Sequence, residues 1–272
     1  MTPPILIPTP APVPLPPLRP FQLAALTALE RPGHLILVAP TGAGKSLVYE
    51  RAASSPGRRT LLVSPLIALA RQQEKRLNAA GIRTNRVAAG ERPDPHARVW
   101  IISPEKLASE TFQRQLRDWA PNFLVLDECH CLWEWGGGFR PSFKLVPFLV
   151  DALGIRTTLW LTATLPPAAR TELRAALPGQ ITEQGTFALP PGLESALHRV
   201  GWAERMRLAT QWIRAQSRPG ILFVPTRSLA GRWANLLGAA GRDAVVYHAG
   251  LSAEERLAAE SRIARGGKYA RF

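Results

Sequence analysis

The sequence predicts an α/β fold in which a parallel sheet is covered by helices on both faces. Short, wholly apolar segments alternate with amphipathic segments along most of the 272 residues. Wholly apolar strands are typical of parallel sheets, because their side chains are buried on both faces. Two of these strands, Leu35–Ala39 and Phe123–Asp127, run directly into glycine-rich or acidic residues. The carboxyl edge of an open α/β sheet is where ligands bind.

The first domain is predicted to occupy residues 18–180. Apolar residues at helical spacing alternate there with short apolar runs, and the two periods distinguish helices from strands. In chain order the predicted elements are helix Phe21–Glu30, strand Leu35–Ala39, a helix that begins at Lys45 and Ser46, strand Thr60–Val63, helix Ala68–Ala79, strand Val99–Ile102, helix Ser109–Asp118, strand Phe123–Asp127 and strand Thr158–Leu161.

A stretch rich in glycine and proline predicts a linker at residues 181–195. A second α/β pattern follows, but its two strands are too few for a whole domain. Residues 196–272 are therefore expected to form part of a second domain of the same kind. Its predicted elements are helix Ala203–Gln216, strand Ile221–Val224, helix Ser228–Ala240 and strand Ala244–Tyr247.

Charge and cysteine content narrow the class of protein. The chain has 34 Lys and Arg against 20 Asp and Glu, a net charge of +14. This excess suits a polyanionic partner such as nucleic acid, although an arginine-rich solvated surface would have the same composition. The two cysteines, Cys129 and Cys131, are too close in sequence for an unstrained disulfide, so a reducing, cytoplasmic compartment is expected. A metal site at Cys129-His130-Cys131 would need a second ligand cluster.

Proline alternates with apolar residues in residues 1–17. This pattern favours polyproline II and predicts an extended, disordered tail or a partner-binding arm. It lacks the basic start and the unbroken apolar core of a signal peptide. No apolar stretch in the sequence approaches the ~20 residues of a membrane span, so a soluble protein is expected.

The residues after the first strand predict a phosphate-binding loop of the P-loop type. Gly42 and Gly44 allow the backbone to curl, so that successive N–H groups and the next helix N-terminus point at phosphates. Lys45 would reach the β- and γ-phosphates, and the Ser46 hydroxyl would bind Mg²⁺. A glycine-rich turn without a ligand is the other interpretation. The nucleotide-binding residues expected in this loop are Thr41, Gly42, Ala43, Gly44, Lys45 and Ser46.

An acidic pair at the end of another buried strand supplies what a P-loop alone lacks. The Asp127 carboxylate can hold Mg²⁺, and Glu128 stands beside it to polarise the attacking water. Alone, such a pair also fits an ordinary strand-end turn. Together with a P-loop, it favours an ATP site.

Eight short segments follow one another in a fixed order along the chain. They are Leu18–Gln22, Ala39–Tyr49, Ser64–Leu69 with Gln73, Ser103–Leu107, Asp127–His130, Leu161–Thr164, Ile221–Ser228 and Tyr247–Leu251. In this order they resemble motif 0, motif I, motif Ia, the S-P-E-R-L segment, motifs II, III and IV and the Y-H-A-G-L segment of superfamily 2 helicases of the DEAD/DEAH type, specifically RecQ DNA helicases. The resemblance covers about Leu18 to Arg265.

The most specific resemblance lies just beyond Asp127–His130. Trp133, Trp135, Gly136, Phe139, Arg140 and Pro141 are similar to the aromatic-rich loop that couples single-stranded DNA to ATP hydrolysis in RecQ proteins. Aromatic faces stack on bases without sequence preference, for ~1–3 kcal/mol per base. Core packing of the tryptophans is the alternative, and the three glycines at positions 136–138 favour exposure.

The resemblance implies a RecA-like P-loop NTPase domain followed by part of a second one, with ATP, Mg²⁺ and single-stranded or forked DNA as cofactors and partner. The implied catalytic residues are Lys45, Asp127, Glu128 and His130. The implied nucleotide contacts outside the P-loop are Arg19 and Gln22, and the implied Mg²⁺ ligands are Ser46 and Asp127. The implied coupling residues, which act with His130, are Thr162 and Thr164. The implied DNA contacts are Ser64, Pro65, Gln73, Trp133, Trp135, Phe139, Arg140, Thr226, Arg227 and His248.

The resemblance therefore implies an ATP-dependent DNA helicase of recombination and repair, with 3′-to-5′ polarity and a cytoplasmic or, in bacteria, nucleoid location. The family's motifs V and VI, the second of which carries an arginine finger, do not follow Gly266. Such a finger is worth 10³–10⁵ in rate, so we expect a C-terminally truncated enzyme whose finger comes from a partner in trans. A nucleotide-gated DNA-binding module without unwinding activity is the alternative, and a nonfunctional fragment is a third.

Overall fold

The computed structural model describes residues 15–88, 90–134, 141–186, 196–216, 220–248 and 250–265. The chain divides into two compact units, Met1–Leu193 and Glu194–Phe272. In the described part of the first unit the strands are β1 Gly33–Val38, β2 Thr60–Val63, β3 Thr84–Arg86, β4 Val99–Ile102, β5 Phe123–Leu126, β6 Thr157–Thr162 and β7 Ile181–Gln184. They form one sheet in the order β3-β4-β2-β5-β6-β1-β7, and all neighbours are parallel.

Helices lie in most of the connections between these strands, as is usual in a parallel sheet, and one helix precedes β1. They are α1 Pro20–Ala28, α2 Ser46–Ala53, α3 Ile67–Ala79, α4 Glu110–Trp119, α5 Cys131–Glu134, α6 Leu145–Ala152 and α7 Pro167–Ala176, with 3₁₀ turns at Pro104–Ala108 and Pro141–Lys144. Among the described residues, no helix combines the length and the apolar character needed to cross a membrane.

Two hydrophobic clusters pack against opposite faces of the sheet. Alternate residues of a strand point to opposite faces, so Leu124 and Leu126 of β5 lie in one cluster and Phe123 and Val125 in the other. The α4-side cluster also contains apolar residues of α4, α6 and α7, and the α1-side cluster contains those of α1, α2 and α3. The prediction of a parallel sheet with helices on both faces is confirmed.

The two edge strands, β3 and β7, are absent from the predicted elements. Both are short, polar and half-buried, so they lack the apolar run that marks the inner strands. β7 lies within the predicted linker, residues 181–195, and that prediction is wrong for Ile181–Gln184. His34 to Leu37 of β1 pair with these residues in register, which extends the first unit beyond residue 180.

Three arginines cap helix ends at the amino-terminal edge of the sheet. Arg58 donates to the Leu29 carbonyl at the end of α1 (2.7 Å), and Arg59 donates to the Trp119 carbonyl at the end of α4 (2.6 Å). Arg98 donates to the last carbonyl of α2 (3.0 Å). A cation near a helix C-terminus contributes ~0.3–1 kcal/mol, because the helix dipole is negative there. Part of the +14 charge therefore stabilises the fold and is not evidence for a polyanionic partner.

Gly185, directly after β7, lies against the last residue of β1. Its φ is +82°, and a Cβ built on it would lie 2.0 Å from the Val38 carbonyl oxygen. We predict that Gly185→Ala lowers the free energy of unfolding by more than the ~1–3 kcal/mol that left-handed strain alone costs. Gly179→Ala is the matched control in urea unfolding, because its φ is +87° and no atom would lie within 4 Å of its Cβ. Equal losses for the two variants would show that the Val38 contact is unimportant.

The second unit contains α8 Trp202–Ala215, α9 Arg227–Ala239 and α10 Ala253–Arg265 in its described part. The two predicted helices are confirmed, whereas the strands predicted at Ile221–Val224 and Ala244–Tyr247 are not formed. Phe223 is 88% exposed. A strand needs a neighbour to satisfy its backbone groups, and within the described residues these segments have no ladder.

Candidate functional site

The carboxyl edge of the sheet brings the predicted motifs together. β5, β6 and β1 are neighbours, so the residues that end or follow them lie side by side. The Ala39 N–H, at the start of the P-loop, donates to the Thr162 carbonyl (3.1 Å), and the Cys129 N–H donates to the Leu161 carbonyl (2.8 Å). The end of β6 is thus bonded to the P-loop on one side and to the acidic segment on the other.

The P-loop links β1 to α2. Gly42 and Gly44 have φ values of +79° and +88°, a region that glycine occupies without strain. The Ala43 N–H donates to the Pro40 carbonyl at 3.1 Å, which closes the turn, while Thr41 is exposed at its tip. Because α2 begins at Ser46, its N-terminus and the positive end of its dipole follow this turn directly. The Leu47 and Val48 N–H groups close the first turn of the helix by donating to the Gly44 and Lys45 carbonyls at 3.2 and 3.1 Å.

The Lys45 side chain folds back into the loop. Its ammonium group donates to the Ala39 carbonyl at 2.8 Å and the Pro40 carbonyl at 3.2 Å, and the residue is 8% exposed. Both partners are neutral, and no carboxylate among the described residues is in ion-pair contact with Lys45. A buried cation is stabilised by an anion that it can hydrogen-bond. This arrangement suits a phosphate group.

Arg19 and Gln22 brace the P-loop from α1. The buried Gln22 amide donates through Nε2 to the Gly44 carbonyl (2.7 Å) and accepts through Oε1 from the Arg19 N–H (2.7 Å). The Arg19 guanidinium donates to the Ala43 carbonyl at 3.2 Å. A Cβ on Gly44 would lie 2.7 Å from Gln22 Nε2, so glycine also permits this contact. Both residues lie at the loop, and their contact with a nucleotide stays a prediction.

Asp127 follows β5 and is 6% exposed. Its Oδ2 accepts from Gln73 Nε2 at 2.7 Å, and its Oδ1 accepts from the Glu128 N–H at 3.0 Å. Burial, and to a smaller extent the charge of Glu128, raises the pKa of Asp127 to about 6. Magnesium prefers carboxylate oxygens, and within the described residues the hydrogen-bond donors to this carboxylate are both neutral.

Glu128, His130 and Thr162 form a polar chain beside Asp127. His130 Nδ1 lies 3.3 Å from Glu128 Oε2 and 3.2 Å from Thr162 Oγ1. The Thr162 hydroxyl donates to the Thr164 carbonyl (2.6 Å), so its oxygen accepts from His130 and from the Thr164 N–H (3.1 Å). Contacts with the Cys131 sulfur and the Glu128 carboxylate raise the pKa of His130, and the His130 contact lowers the pKa of Glu128. Glu128 is therefore ionised at neutral pH, as a general base must be.

Glu128 has a left-handed backbone, with a φ of +50°. Such a conformation costs a residue with a Cβ ~1–3 kcal/mol and persists where the surroundings enforce it, often at functional sites. Here its N–H donates to Asp127, and its carbonyl accepts from the Cys131 N–H at 2.9 Å. The strained turn is thus fixed on both sides.

The residues at this edge fit Mg²⁺ and a nucleoside triphosphate. Lys45 and the first N–H groups of α2 provide cationic and dipolar partners for phosphates. Asp127 provides hard oxygen ligands, and Mg²⁺ characteristically combines one or two carboxylates with substrate phosphates. Gln73 Oε1 and Ser64 Oγ are buried and have no hydrogen-bond partner in the part of the chain that the structure describes. Buried polar atoms of this kind indicate an additional polar ligand or water.

Three predicted DNA contacts are enclosed in the first unit. Ser64 and Gln73 are 1% and 3% exposed, and Pro65 is buried beside them. These enclosed side chains cannot reach a phosphate, so a DNA contact at this segment would use its backbone N–H groups, and it stays a prediction. The exposed residues of this segment are instead Leu66 (52%) and Ile67 (66%), at the N-terminus of α3.

The aromatic segment is described only in part. Trp133 lies on α5, is half-buried and packs against the α4-side cluster. Core packing, the alternative interpretation, therefore describes this ring better than an exposed platform for bases. The other predicted DNA contacts of the segment, Trp135, Phe139 and Arg140, lie outside the described residues.

The second unit carries the last three predicted DNA contacts. Thr226 is exposed and caps α9, because its hydroxyl accepts from the Leu229 N–H at 3.2 Å. Arg227 is exposed on the first turn of α9, and its guanidinium lies close to the Gly250 backbone, because a Cβ on Gly250 would lie 2.5 Å from its Nη1. His248 is half-buried, and its Nδ1 has no hydrogen-bond partner. A cation at an exposed helix N-terminus suits phosphate binding.

Sequence reasoning missed the contact between Gln73 and the acidic pair. Gln73 shares the buried face of α3 with Ala70 and Leu77. This spacing of three and four residues marks one side of a helix, and it is the signal that could have placed Gln73 inside. The left-handed turn at Glu128 has no such signal, because glycine is the residue that normally indicates one.

Comparison with known proteins places these residues in one family. The model of the DEAD/DEAH box helicase family matches residues 19–173. ATP-dependent DNA helicase Q5 of Rattus norvegicus is 30% identical over an alignment 269 residues long, which covers 87% of this chain and 28% of the relative. RecQ-like DNA helicase BLM of Xenopus laevis is 28% identical over 86% of this chain and 19% of its own length. ATP-dependent DNA helicase RecQ of Synechocystis is 27% identical over 85% of this chain and 52% of its own length.

A solved structure supports the fold. A variant of S. cerevisiae Dbp5 bound to RNA and ADP BeF3 matches 92% of this chain and 72% of its own, with a TM-score of 0.62 and 16% identity. The family match spans more than half of the chain and includes the P-loop, the acidic pair and Thr162, which the sheet brings together. The chain belongs to the DEAD/DEAH box helicase family.

Proposed function

We propose that this chain is the motor portion of an ATP-dependent DNA helicase of the RecQ type, acting in recombination and repair. One observation carries the proposal. The end of β6 is bonded to both the P-loop and the acidic segment, and its Thr162 hydroxyl contacts His130, the partner of Glu128. A site connected in this way can transmit a change at the nucleotide to the rest of the sheet. The similarity to RecQ helicases supports DNA as the polymer.

In the proposed reaction, the P-loop N–H groups and Lys45 would bind the triphosphate, and Asp127 with Ser46 would hold Mg²⁺, which would supply charge neutralisation for the phosphates. Glu128 accepts a hydrogen bond from the attacking water and takes up its proton. The water oxygen then bonds to the γ-phosphorus as the bond to the β–γ bridging oxygen breaks, which releases ADP and phosphate. The His130 contact keeps the Glu128 carboxylate ionised for this role and orients it.

Two exposed helix N-termini are the proposed phosphate contacts with DNA. α3 has no side-chain cap at its N-terminus, where Leu66 and Ile67 are exposed, so its backbone N–H groups can meet phosphates and its apolar side chains can meet bases. Thr226 and Arg227 provide the corresponding contacts on α9. A DNA substrate implies a cytoplasmic or nucleoid location in a bacterial cell.

Full hydrolytic rate requires an arginine that stabilises charge on the transferred phosphoryl group. The sequence printed here holds no Q-x-x-G-R-x-G-R segment. We expect that arginine to come from outside residues 1–272, in cis or in trans, and we propose 3′-to-5′ movement for the assembled motor.

Thr162→Val is expected to lower DNA-stimulated turnover by ~10-fold, because a hydrogen bond to a charged imidazole is worth ~1.5 kcal/mol or more. Valine keeps the shape but removes the oxygen that lies 3.2 Å from His130 Nδ1. Nucleotide affinity should stay unchanged. Thr157→Val, at the opposite end of β6, is the matched control. A Thr162→Val protein that responded to DNA like the wild type would exclude this hydroxyl from the coupling.

Single-stranded DNA affinity in different nucleotide states tests the proposed function. Fluorescence anisotropy of a labelled oligonucleotide would be measured without nucleotide, with ADP and with a non-hydrolysable ATP analogue, using RNA of the same sequence as competitor. We expect affinities that differ between states by ~5–150-fold, the usual range of such coupling, and DNA that competes better than RNA. Equal affinities in all states would rule out nucleotide-coupled DNA binding.

A further inference from the structure

Gln73 is a polar residue on the buried face of a helix. It lies between Ala70 and Leu77 on the inner side of α3 and is 3% exposed, whereas its neighbour Gln72 is exposed. A buried amide needs partners, because desolvation without hydrogen bonds costs ~1–3 kcal/mol. Its Nε2 finds one in Asp127 Oδ2 at 2.7 Å, across 54 residues of sequence. Its Oε1 has none among the residues that the structure describes.

This contact completes the fixation of the Asp127 carboxylate. Oδ1 is held by the backbone of Glu128, and Oδ2 is held by Gln73. Each carboxylate oxygen has a second lone pair that stays available to a ligand. Without the Gln73 amide, one oxygen would be fixed and the other would lose its donor.

A neutral amide is the appropriate partner for a metal-binding carboxylate. Arginine or lysine in its place would neutralise the charge that attracts Mg²⁺, whereas an amide orients the carboxylate and leaves the charge intact. Because an ionised carboxylate only accepts hydrogen bonds, the amide nitrogen must face Asp127 and Oε1 must face away.

We propose that Gln73 is a positioning residue of the magnesium site, where its amide fixes the orientation of the Asp127 carboxylate from helix α3. The inference rests on the proposed function, because it requires Asp127 to bind Mg²⁺ together with a nucleotide. It replaces the predicted DNA contact at this residue. Partners of metal ligands commonly contribute 10–100-fold to metal affinity.

The test is a Mg²⁺ titration of the binding of a fluorescent ATP analogue by the full chain. Gln73→Leu should raise the Mg²⁺ concentration for half-maximal binding by ~10–100-fold and leave analogue binding in EDTA unchanged. Gln72→Leu, the same change on the exposed side of α3, should behave like the wild type. Should Gln73→Leu melt below the assay temperature, Gln73→Met provides an apolar replacement of the same length. Electron paramagnetic resonance of bound Mn²⁺ would report the changed coordination directly.

Each outcome is informative. Unchanged Mg²⁺ dependence in Gln73→Leu, beside a wild type that requires Mg²⁺, would overturn the positioning role alone. Equal losses of analogue binding with Mg²⁺ and in EDTA would show that Gln73 has a purely structural role and would also overturn the positioning role. A wild type whose analogue binding ignores Mg²⁺ would instead overturn the proposed function.

Discussion

Glu128→Gln is expected to lower DNA-stimulated ATP hydrolysis by ~10²–10⁴-fold while Mg²⁺-dependent ATP binding survives. Glutamine keeps the size of the side chain but cannot take up a proton at neutral pH. Asp127 is bonded to the backbone N–H of Glu128 and not to its carboxylate, and Lys45 is bonded to loop carbonyls. The residues proposed to hold the nucleotide therefore do not depend on the Glu128 side chain.

Phosphate release measures the turnover of Glu128→Gln, and a fluorescent ATP analogue measures its binding. Glu110→Gln is the control, because it makes the same chemical change on the exposed first turn of α4. If Glu128→Gln hydrolysed ATP at the wild-type rate, another group would activate the water. If it lost binding together with turnover, Glu128 would be a binding residue and not the base.

Lys45→Ala is expected to weaken ATP binding by ~30- to 5,000-fold, because truncating a buried, hydrogen-bonded charge at a binding site costs ~2–5 kcal/mol. The ammonium group is held in the bend of the P-loop by the Ala39 and Pro40 carbonyls. It is thus already positioned for a phosphate at the start of α2. Alanine removes that charge without changing the backbone of the loop.

Isothermal titration with ATP and Mg²⁺ measures this loss, and thermal unfolding shows whether the variant folds. Lys75→Ala, on the exposed side of α3, removes the same charge away from the site and should bind like the wild type. Unchanged affinity in a folded Lys45→Ala protein would mean that the phosphates bind elsewhere.

Burial explains which strands the sequence could predict. β5 reads Phe123–Leu126 and is buried along its whole length, so its apolar run is continuous. β3 and β7 lie at the sheet edges, are half-buried and contain polar residues. Their strand conformation depends on pairing with β4 and β1, and pairing partners distant in sequence leave no local signal. The opposite error occurs at Ile221–Val224, where the apolar run is present but the residues that the structure describes provide no pairing strand.

The parts of the candidate site that lie in short sequence motifs could be predicted, whereas contacts between distant segments could not. The P-loop and the acidic pair each have a short signature, and the strand order brings them together. Gln73 and Asp127 meet across 54 residues, so their contact depends on the packing of α3 and not on a motif. Trp133 is a similar case, because an aromatic residue has the same sequence signature in a core and at a DNA-binding surface.

Steady-state ATP hydrolysis by the chain, with and without single-stranded DNA, is the decisive measurement. A DNA-coupled motor site at the carboxyl edge of the sheet predicts turnover that is slow without the outside arginine, that rises when DNA is added, and that Lys45→Ala and Glu128→Gln both lower towards the background rate. ATP binding that requires Lys45 without any turnover would contradict the motor and leave a nucleotide-gated DNA-binding module. A hydrolysis rate that changes neither with DNA nor with either substitution would contradict the placement of the ATP site at this edge of the sheet.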